Sequence, residues 1–425
     1  MPNPTVPNSA GATMRRTWPQ RLTVVTVVAA AMACFATAGV LAFGQWVLSD
    51  RQLVALTGPS SEFGEAGAPS VIVAGGTITT LLRSRASDID VELAEPDAAN
   101  FLVVGADNNN CGTDGDPITD DRSDLGERSD TIMVWRANPD ANQLAVLSLP
   151  RDLYVDIAGG RKSRINSAYR RDDPTKLIDT IYLNFGIPID HYVQVDFCAF
   201  QRLVDAVGGV EVPFEAPARD RRSGLFVGTT GCVNLAGEQA LAYVRSRHYQ
   251  YEDPPGSDNW VEDGTSDFGR IARQQDFLRR VVAKVIADGL YSPGVATAII
   301  DTNQQYLVTD AGLTLRRMLE FANTLRTLDP SEIATFRIES STEITSAGDE
   351  VERPRINGEN MRAILAVFRG EATIASAPDQ VFETTTTVPA IADDETDGSV
   401  TTTVPTVVVE DNTIGVVPEA DVVCD

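Results

Sequence analysis

Residues 144–152 read LAVLSLPRD, a short apolar run that closes with a proline and an arginine–aspartate pair. Continuous apolar runs of this length, bounded by a turn-forming residue, are typical of strands that are buried on both faces of a sheet. The runs at 101–104 and 132–135 have the same character, and 154–157 and 191–195 are further strand candidates. The chain therefore predicts a largely buried central sheet.

Helical patterns alternate with these strands. Apolar residues recur at helical spacing in 177–185, 200–207 and 271–286, and glycines follow the first two stretches as stop signals. Similar patterns continue toward the C-terminus, at 313–325 and 360–368. Because strands that alternate with helices bury a sheet between helical layers, we predict an α/β domain that occupies residues 100–372.

An uncharged apolar segment near the N-terminus, residues 22–48, is long enough to cross a bilayer, for which about 20 residues suffice. Arginines precede it at Arg15, Arg16 and Arg21. Positive charge collects on the cytoplasmic side of such segments, so we predict a single transmembrane helix with residues 1–21 in the cytoplasm and the rest outside the cell. The alternative is a cleaved signal peptide, whose apolar core is usually about 7–15 residues long.

Two regions of biased composition flank the predicted domain. Residues 49–99 are a mixed connector with stretches rich in Gly, Ala and Ser, which predicts a partly irregular juxtamembrane stalk. Residues 373–425 are rich in Thr, Val and Pro with scattered acids. We expect this low-complexity tail to be a wall spacer without a regular fold.

The chain is strongly acidic, with a formal net charge of -25 and a pI of about 4.4. That charge argues against nucleic acid and anionic lipid surfaces as partners. Lysine occurs only at Lys162, Lys176 and Lys284, so nearly all of the 35 cationic side chains are arginines. This bias reflects either a GC-rich genome or forked recognition of phosphate, which arginine performs better than lysine. With two histidines in the chain, acid–base chemistry must rest on carboxylates or on a metal-bound oxygen.

Five cysteines are present, and Cys34 lies within the apolar segment. The other four lie in the part that we expect outside the cell, where disulfides persist. We predict a Cys198–Cys232 disulfide, because both residues lie in the outward-facing domain. Cys111 could then pair with Cys424, which would tie down the tail.

Charged side chains stand at the ends of the apolar strands in four short segments. These segments are VGAD (104–107), ERSDT (127–131), LPRD (149–152) and YVRSR (243–247). A single Asp or Arg at a strand end is usually a turn former or a solvated charge, so each segment alone is a weak signal.

Taken together, these segments resemble the LytR-CpsA-Psr family of cell-wall glycopolymer ligases. The resemblance covers roughly residues 100–368. Its motifs are, in order, SDT (129–131), LSLPRD (147–152), RINSAY (164–169), DHYV (190–193), LVD (203–205), GGV (208–210), LAGEQAL (235–241), YVRSR (243–247), DFGR (267–270) and RQQ (273–275). The resemblance implies a three-layer α/β/α sandwich around a mixed central sheet, preceded by one N-terminal transmembrane helix.

The activity implied by the resemblance is that of a phosphotransferase with an extracellular catalytic domain. It would attach a polyprenyl-pyrophosphate-linked glycopolymer to a peptidoglycan hydroxyl as a phosphodiester, release polyprenyl phosphate, and depend on a divalent metal. Two alternatives stay open on the sequence: a polyprenyl pyrophosphate hydrolase, and a non-catalytic envelope regulatory protein.

Roles for individual residues also follow from the resemblance. The aspartates that match the family's Mg²⁺ or Mn²⁺ ligands are Asp107 and Asp130. The arginines that match those holding the pyrophosphate are Arg128, Arg151, Arg245 and Arg247. Further phosphate contacts are expected from Arg164, Arg270 and Gln274; the last two lie four residues apart and would share one face of a helix.

A pyrophosphate ester carries negative charge that repels a nucleophile, so attack requires that this charge be neutralised and the leaving phosphate stabilised. Arginine forks and a hard cation held by carboxylates suit this task. We therefore predict Asp130, Arg151, Asp152 and Asp267 as the catalytic residues. Asp152 and Asp267 could each orient an arginine, join the outer shell of the metal, or accept the proton of the acceptor hydroxyl.

The polyprenyl tail implied by the resemblance needs an apolar tunnel, which the strands and helices would either line or fill as an ordinary core. Two insertions, 108–127 and 249–266, interrupt the family pattern. The second is rich in Asp, Glu, Tyr and Trp. It either covers the site and selects the polymer or the acceptor, or it is a solvated loop.

Overall fold

The computed structural model describes residues 52–54, 94–106, 129–171, 173–288, 307–313, 317, 328–387, 403–407, 416–418 and 424. The predicted cytoplasmic N-terminus, the apolar segment 22–48 and the insertion 108–127 lie outside these residues, as does most of the helical pattern at 313–325. Within the described part of the chain, no helix has both the length and the apolar character required to cross a membrane.

The elements of the described residues follow the predicted alternation of strands and helices. The strands are β1 (Gln52–Val54), β2 (Ala99–Ala106), β3 (Ser129–Asn138), β4 (Gln143–Ser148), β5 (Tyr154–Val155), β6 (Ser163–Arg164), β7 (His191–Asp196), β8 (Val210–Phe214), β9 (Ala218–Asp220), β10 (Leu225–Val227), β11 (Gly231–Leu235), β12 (Gln250–Glu252), β13 (Trp260–Glu262), β14 (Leu307–Asp310), β15 (Ala334–Arg337), β16 (Ser340–Ile344), β17 (Glu350–Pro354), β18 (Glu383–Thr387) and β19 (Thr403–Val407). The helices are α1 (Thr175–Phe185), α2 (Phe197–Ala206), α3 (Gly237–Arg245), α4 (Ser266–Asp288) and α5 (Glu359–Arg369).

A seven-stranded mixed sheet has the order β1-β14-β7-β2-β3-β4-β15. Strands β2 and β7 are parallel, as are β4 and β15, whereas β2, β3 and β4 form an antiparallel meander. The predicted mixed central sheet is therefore confirmed. The meander places the start of β3 beside the ends of β2 and β4, so residues at these three points meet at one edge of the sheet.

Both faces of this sheet are covered by helices. Leu102 and Val134 belong to an apolar cluster that includes Ile181 of α1 and Ile364 of α5. Their strand neighbours Phe101 and Met133 point the opposite way. These pack in a second cluster, against Val282 of α4.

Local signals fix the ends of the helices. Gly186 caps the C-terminus of α1, and its φ of 68° is a left-handed conformation that glycine adopts without strain. Asp196 caps the N-terminus of α2, where its carboxylate accepts a hydrogen bond of 2.7 Å from the amide of Ala199.

A third apolar cluster lies beside the sheet and joins α2, α3 and α4. It contains Val204, Leu241, Tyr243 and Phe277. The four-stranded sheet β10-β9-β12-β13 packs against it through Ala218 of β9 and Leu225 of β10. The insertion 249–266 supplies β12 and β13, so it extends this sheet instead of forming an unstructured loop.

Two predicted regions have more structure than their composition indicates. In the predicted stalk, β1 pairs in parallel with β14 and buries Val54. In the predicted tail, β18 and β19 form an antiparallel pair. The expectation of a tail without regular structure was wrong for these residues, because backbone pairing requires no apolar composition.

The predicted Cys198–Cys232 disulfide is also wrong. Cys232 on β11 is bonded to Cys424, with Cα atoms 5.7 Å apart. This pairing excludes Cys111–Cys424 as well, and Cys198 is itself in a disulfide. The C-terminus returns to the domain and is fixed there covalently, which spacing along the sequence does not indicate.

Candidate active site

The carboxylate of Asp130, at the start of β3, contacts three arginines from separate parts of the chain. Its Oδ1 lies 2.5 Å from Nη1 of Arg151 and 3.0 Å from Nη2 of Arg247. Its Oδ2 lies 3.8 Å from Nη1 of Arg270, and Nη2 of Arg270 donates a 2.8 Å hydrogen bond to the Asp130 carbonyl oxygen. The structure thus brings together four residues that were predicted from motifs up to 140 positions apart.

The fold explains this convergence. Because β3 and β4 are antiparallel, the residue after the end of β4 lies beside the start of β3, and the amide of Leu149 donates to the Ile132 carbonyl at 2.9 Å. Pro150 then turns the chain, which places Arg151 next to Asp130. Arg247 follows the end of α3, and Arg270 lies in the first turns of α4.

Asp267 is a second carboxylate shared between arginines. Its Oδ1 lies 3.2 Å from Nε of Arg247 and 2.9 Å from Nη2 of Arg270. The pair Asp267–Arg270 is spaced i, i+3 on α4, which puts both side chains on one helix face. Asp267 therefore holds Arg247 and Arg270 at a fixed separation.

Asp152 orients the other side of the cluster. Its Oδ2 lies 3.2 Å from Nε of Arg151, and its Oδ1 lies 3.5 Å from Nε of Arg164. Arg164 also donates to the carbonyl of Glu350 at 2.9 Å. Of the roles left open for Asp152, this geometry favours the orientation of arginines.

Electrostatics keep Asp130 ionised. Burial alone would raise the pKa of its carboxyl, but the positive charges of Arg270, Arg247 and Arg151 hold that pKa well below its usual range. Burial lowers the pKa of Arg270 to about 10, against the opposing attraction of Asp267. Both groups are charged at neutral pH, so the site is an assembly of ions.

The arginines retain hydrogen-bonding capacity. Within the described residues, Nε and Nη2 of Arg247 and Nε of Arg270 are buried and make no well-directed hydrogen bond. Nε and Nη2 of Arg247 lie within ion-pair distance of Asp267 and Asp130, at 3.2 and 3.0 Å. Hydrogen bonds from a charged guanidinium to an anion are strong, so an anionic ligand that accepted further bonds from these arginines would be stabilised.

Gln274 was expected to contact phosphate, yet its amide is committed elsewhere. Nε2 donates to Oγ1 of Thr131 and to the carbonyl of Val244, both at 3.0 Å. An amide nitrogen has two hydrogens, and both are used. In this structure Gln274 joins β3 to α3 and does not present a donor to the site.

The motifs that supply these side chains match a known family. The model of the LytR_cpsA_psr family covers residues 77–363 of the chain. The chain is a member of the LytR-CpsA-Psr family. Asp107 and Arg128, which carry two of the roles implied by that family, lie outside the described residues.

Curated relatives in this family are named as transferases. The chain is 36% identical over 216 residues to the polyisoprenyl-teichoic acid–peptidoglycan teichoic acid transferase TagU of Enterococcus faecalis, a match that covers 50% of this chain and 61% of that protein. It is 36% identical over 196 residues to the TagU of Bacillus mycoides, covering 45% and 54%. The chain thus spans little more than half of the length of these relatives.

Two solved structures share the fold of this LytR-CpsA-Psr protein. One is a LytR-Csp2A-Psr enzyme from Actinomyces oris, with a TM-score of 0.50, 21% identity, and coverage of 64% of this chain and 91% of that chain. The other is protein gbs0355 from Streptococcus agalactiae, with a TM-score of 0.51, 20% identity, and coverage of 65% and 89%. At these identities the likeness supports the architecture alone.

An apolar cavity of about 340 Å³ adjoins the arginine cluster. It runs between the sheet and helices α2, α3 and α4. Its apolar lining includes Met133, Trp135, Phe200, Leu241, Phe277 and Val281. Asp130, Arg245 and Arg270 also line it, so charged groups and apolar side chains face the same cavity.

Arg245 is one of the charged residues that line the apolar cavity. Its guanidinium carbon is 4.3 Å above the ring of Phe197, a cation–π contact. The motif predicted a pyrophosphate contact for Arg245. The structure places it in the lining of the cavity, which Asp130 and Arg270 also line.

The donor atoms for a divalent metal are few among the described residues, which contain no group of three or more His, Cys, Asp or Glu side chains able to hold an ion. Mg²⁺ is often held by one or two carboxylates together with substrate phosphates, so a larger group is not required. Oδ1 of Asp130 is taken by two arginines, whereas Oδ2 has Arg270 at 3.8 Å. Asp130 therefore offers one hard oxygen, which fits such an ion.

Two buried charged residues near the site were not predicted as functional. Asp220 and Arg273 both contact the segment that carries Arg247. Arg273 lies in the RQQ motif, which was a usable signal. Asp220 lies in an Arg- and Asp-rich run, 219–222, that reads as a solvated turn.

Proposed function

We propose that this protein transfers a glycopolymer from a polyprenyl pyrophosphate carrier to a hydroxyl of peptidoglycan, forming a phosphodiester and releasing polyprenyl phosphate. The observation that carries the proposal is the junction of the Arg151–Arg247–Arg270 cluster with an apolar cavity. A prenyl pyrophosphate has the same two parts, a doubly charged head and an apolar tail. The named activity of the TagU relatives supports the same reaction.

The reaction replaces one phosphorus–oxygen bond with another. The acceptor hydroxyl oxygen bonds to the phosphorus that carries the glycopolymer, and the bond from that phosphorus to the bridging oxygen breaks. The bridging oxygen leaves with polyprenyl phosphate, and the hydroxyl proton passes to a base. The charge that collects on the leaving phosphate is what the arginines must stabilise.

Arg151 and Arg247 are the side chains best placed for this task. They are 22% and 23% exposed, so a ligand can reach them, and both are already oriented by carboxylates. Fixed donors of this kind stabilise charge without reorganising during the reaction. Asp152 and Asp267 are half-buried at the same place, and their prediction as proton acceptors stays a prediction.

A divalent ion, Mg²⁺ or Mn²⁺, is part of the proposal, with Asp130 and the predicted Asp107 as its protein ligands. Bound there, it would neutralise phosphate charge as a Lewis acid. The proposal also includes a membrane anchor at 22–48 and an extracellular domain. The Cys232–Cys424 disulfide supports that location, since disulfides persist in oxidising compartments.

The test uses the purified chain in detergent with a prenyl-pyrophosphate-linked oligosaccharide and a peptidoglycan oligomer. The expected products are prenyl phosphate and an acceptor bearing the sugar through a phosphodiester, both identified by mass spectrometry. Arg353→Ala is a matched control for Arg151→Ala and should retain transfer. Arg353 forms an exposed ion pair with Glu343 on a hairpin and belongs neither to the apolar cavity nor to the arginine cluster. Release of prenyl phosphate with no labelled acceptor would contradict the transferase and indicate a hydrolase.

A further inference from the structure

Residues 246–249 connect α3 to β12 without regular secondary structure, and the first three of them, Ser246, Arg247 and His248, form a short link. Arg247 is the middle residue, and its side chain contacts both Asp130 and Asp267. The amide of Ser246 donates to the carbonyl of Tyr243 in the last turn of α3 at 3.2 Å, but Arg247 and His248 lie beyond the helix and before the strand. The direction of the Arg247 side chain therefore depends on other contacts of the link.

One carboxylate oxygen holds the link from one side. Oδ2 of Asp220 accepts three hydrogen bonds: from Oγ of Ser246 at 2.8 Å, the amide of Arg247 at 3.0 Å and the amide of His248 at 2.9 Å. Its Oδ1 accepts from the amides of Arg222 and Ser223 at 2.8 and 3.3 Å. Asp220 is 1% exposed, so water does not compete for these bonds.

A buried guanidinium holds the link from the other side. Nη2 of Arg273, on α4, donates to the carbonyl of Ser246 at 2.8 Å, and Nη1 donates to Asp263 at 2.8 Å. Arg273 is fully buried, and its guanidinium also lies 4.6 Å above the ring of Tyr249. Ser246 is therefore fixed through its hydroxyl by Asp220 and through its carbonyl by Arg273.

We infer that Asp220 and Arg273 are positioning residues that set the direction of Arg247 toward the substrate phosphates. The inference rests on the proposed function for its catalytic meaning. Neither residue contacts Asp130, so each would act through Arg247. Displacing a catalytic group by about 1 Å can cost about 10²-fold in rate, which gives the link a direct influence on transfer.

The chemistry of Asp220 requires a carboxylate and not an amide. Every group around its two oxygens is a donor, and hydrogen bonds from Ser246, His248, Arg222 and Ser223 outweigh burial and lower its pKa. Asparagine has the same shape, but its NH₂ would face donors on one side or the other. Asp220→Asn should therefore release the link while the surrounding apolar cluster stays packed.

The experiment is a double-mutant cycle of Asp220→Asn and Arg247→Ala, measured by transfer rate and by calorimetric affinity for geranyl pyrophosphate. Asp220→Asn alone is expected to lower the transfer rate by about 10²-fold. In the Arg247→Ala background, Asp220→Asn should have almost no effect on the transfer rate, because the side chain that Asp220 positions has already been removed. Equal loss in both backgrounds would overturn the inference.

Asp310→Asn is the matched control. Asp310 is 2% exposed and accepts from the amides of Tyr192 and Gly312 at 3.0 and 2.7 Å, at the end of the sheet away from the arginines. Asp310→Asn disturbs buried hydrogen bonds from backbone amides, as Asp220→Asn does, but it should leave the transfer rate unchanged. If Asp220→Asn and Asp310→Asn reduce transfer equally, Asp220 has no positioning role. Ser246→Ala removes one donor and gives a milder variant, expected to lower transfer about two- to tenfold, should Asp220→Asn not fold.

Amide hydrogen exchange separates this inference from the proposed function, because it needs no substrate. The amides of Arg247 and His248 should be protected in the wild type and exposed in Asp220→Asn. Unchanged protection would overturn the positioning role even if transfer occurs. A wild-type protein that protects these amides but neither binds geranyl pyrophosphate nor transfers sugar would contradict the proposed function and leave the structural anchor supported.

Discussion

The two ends of the central sheet treat buried charge differently. At one end, Arg136 pairs with Glu95 near Asp190, and His191 contacts Asp310, with all five residues at most 8% exposed. At the other end, Asp130 and Asp267 share arginines that are 2% to 23% exposed. Arg136 lies six positions after Asp130 on β3, roughly 20 Å along the strand.

The charge balance of the two ends also differs. Around Asp130, the described ion pairs join four arginines (Arg151, Arg164, Arg247 and Arg270) to three aspartates, an excess of one positive charge. The other end, called the closed end below, has three carboxylates among its described residues (Glu95, Asp190 and Asp310) but one arginine, Arg136. The ion pairs of the closed end are buried and stabilise the fold. The ion pairs around Asp130, called the open end below, are partly exposed and carry surplus positive charge, so this end can accept an anion.

The largest effect should come from removing a cation at the open end. Arg151→Ala is expected to lower the transfer rate by about 10³-fold, or about 4 kcal/mol of transition-state stabilisation, because a fixed donor to developing charge is lost. The melting temperature should change little, since Arg151 is partly exposed. Transfer at the wild-type rate by a folded Arg151→Ala protein would contradict the site assignment.

The same change at the closed end should act on stability instead. Arg136→Ala leaves the buried carboxylate of Glu95 without its cation, which is expected to reduce the free energy of unfolding by about 3 kcal/mol. Denaturant titration followed by circular dichroism measures this loss. The comparison fails if Arg136→Ala lowers the transfer rate of the folded protein as strongly as Arg151→Ala does.

Filling the apolar cavity should weaken binding of the prenyl chain without weakening binding of the pyrophosphate group. Val281 lines the cavity on α4, so Val281→Trp is expected to weaken binding of geranyl pyrophosphate about tenfold, roughly 1.4 kcal/mol, while inorganic pyrophosphate binds unchanged. Ile344→Trp is the control, because Ile344 is 76% exposed on a hairpin. Calorimetry gives both affinities, and parallel losses for the two ligands would argue against a tail site.

The smallest expected effect concerns pH. Hydrogen bonds overcome burial to lower the pKa of folded Asp220, so its contribution to stability is present above the unfolded value of about 4 and is lost as pH falls toward the folded pKa. Asp220→Asn should therefore flatten the dependence of the free energy of unfolding on pH as the pH falls below that unfolded value. Chemical denaturation at several pH values measures the slope, and identical slopes would show that Asp220 titrates normally.

The central strands of the sheet, and some residues of the candidate active site, could be predicted from the sequence. Strands β2, β3 and β4 were predictable because they are continuous apolar runs, and Arg151 and Asp130 because each follows or begins such a run. The edge strand β1 and its neighbour β14 are short and are defined by pairing partners far along the chain. Their assignment needs the tertiary structure.

What escaped prediction depended on long-range placement. The disulfide partner of Cys232 lies 192 residues away, and nothing in the spacing selects Cys424 over Cys198. Asp220 looks like a turn residue until the link 246–248 is seen to fold onto it. Gln274 shares the expected helix face with Arg270, but whether its amide meets phosphate or Thr131 is decided by side-chain packing.

The most direct measurement is a crystal structure of the protein with geranylgeranyl pyrophosphate. Both phosphates are expected within hydrogen-bond distance of Arg151 and Arg247, with the prenyl chain in the cavity lined by Phe200 and Phe277. Phosphates bound elsewhere, with Arg151 and Arg247 still paired to Asp130 as in the free protein and the cavity filled by side chains, would contradict this expectation.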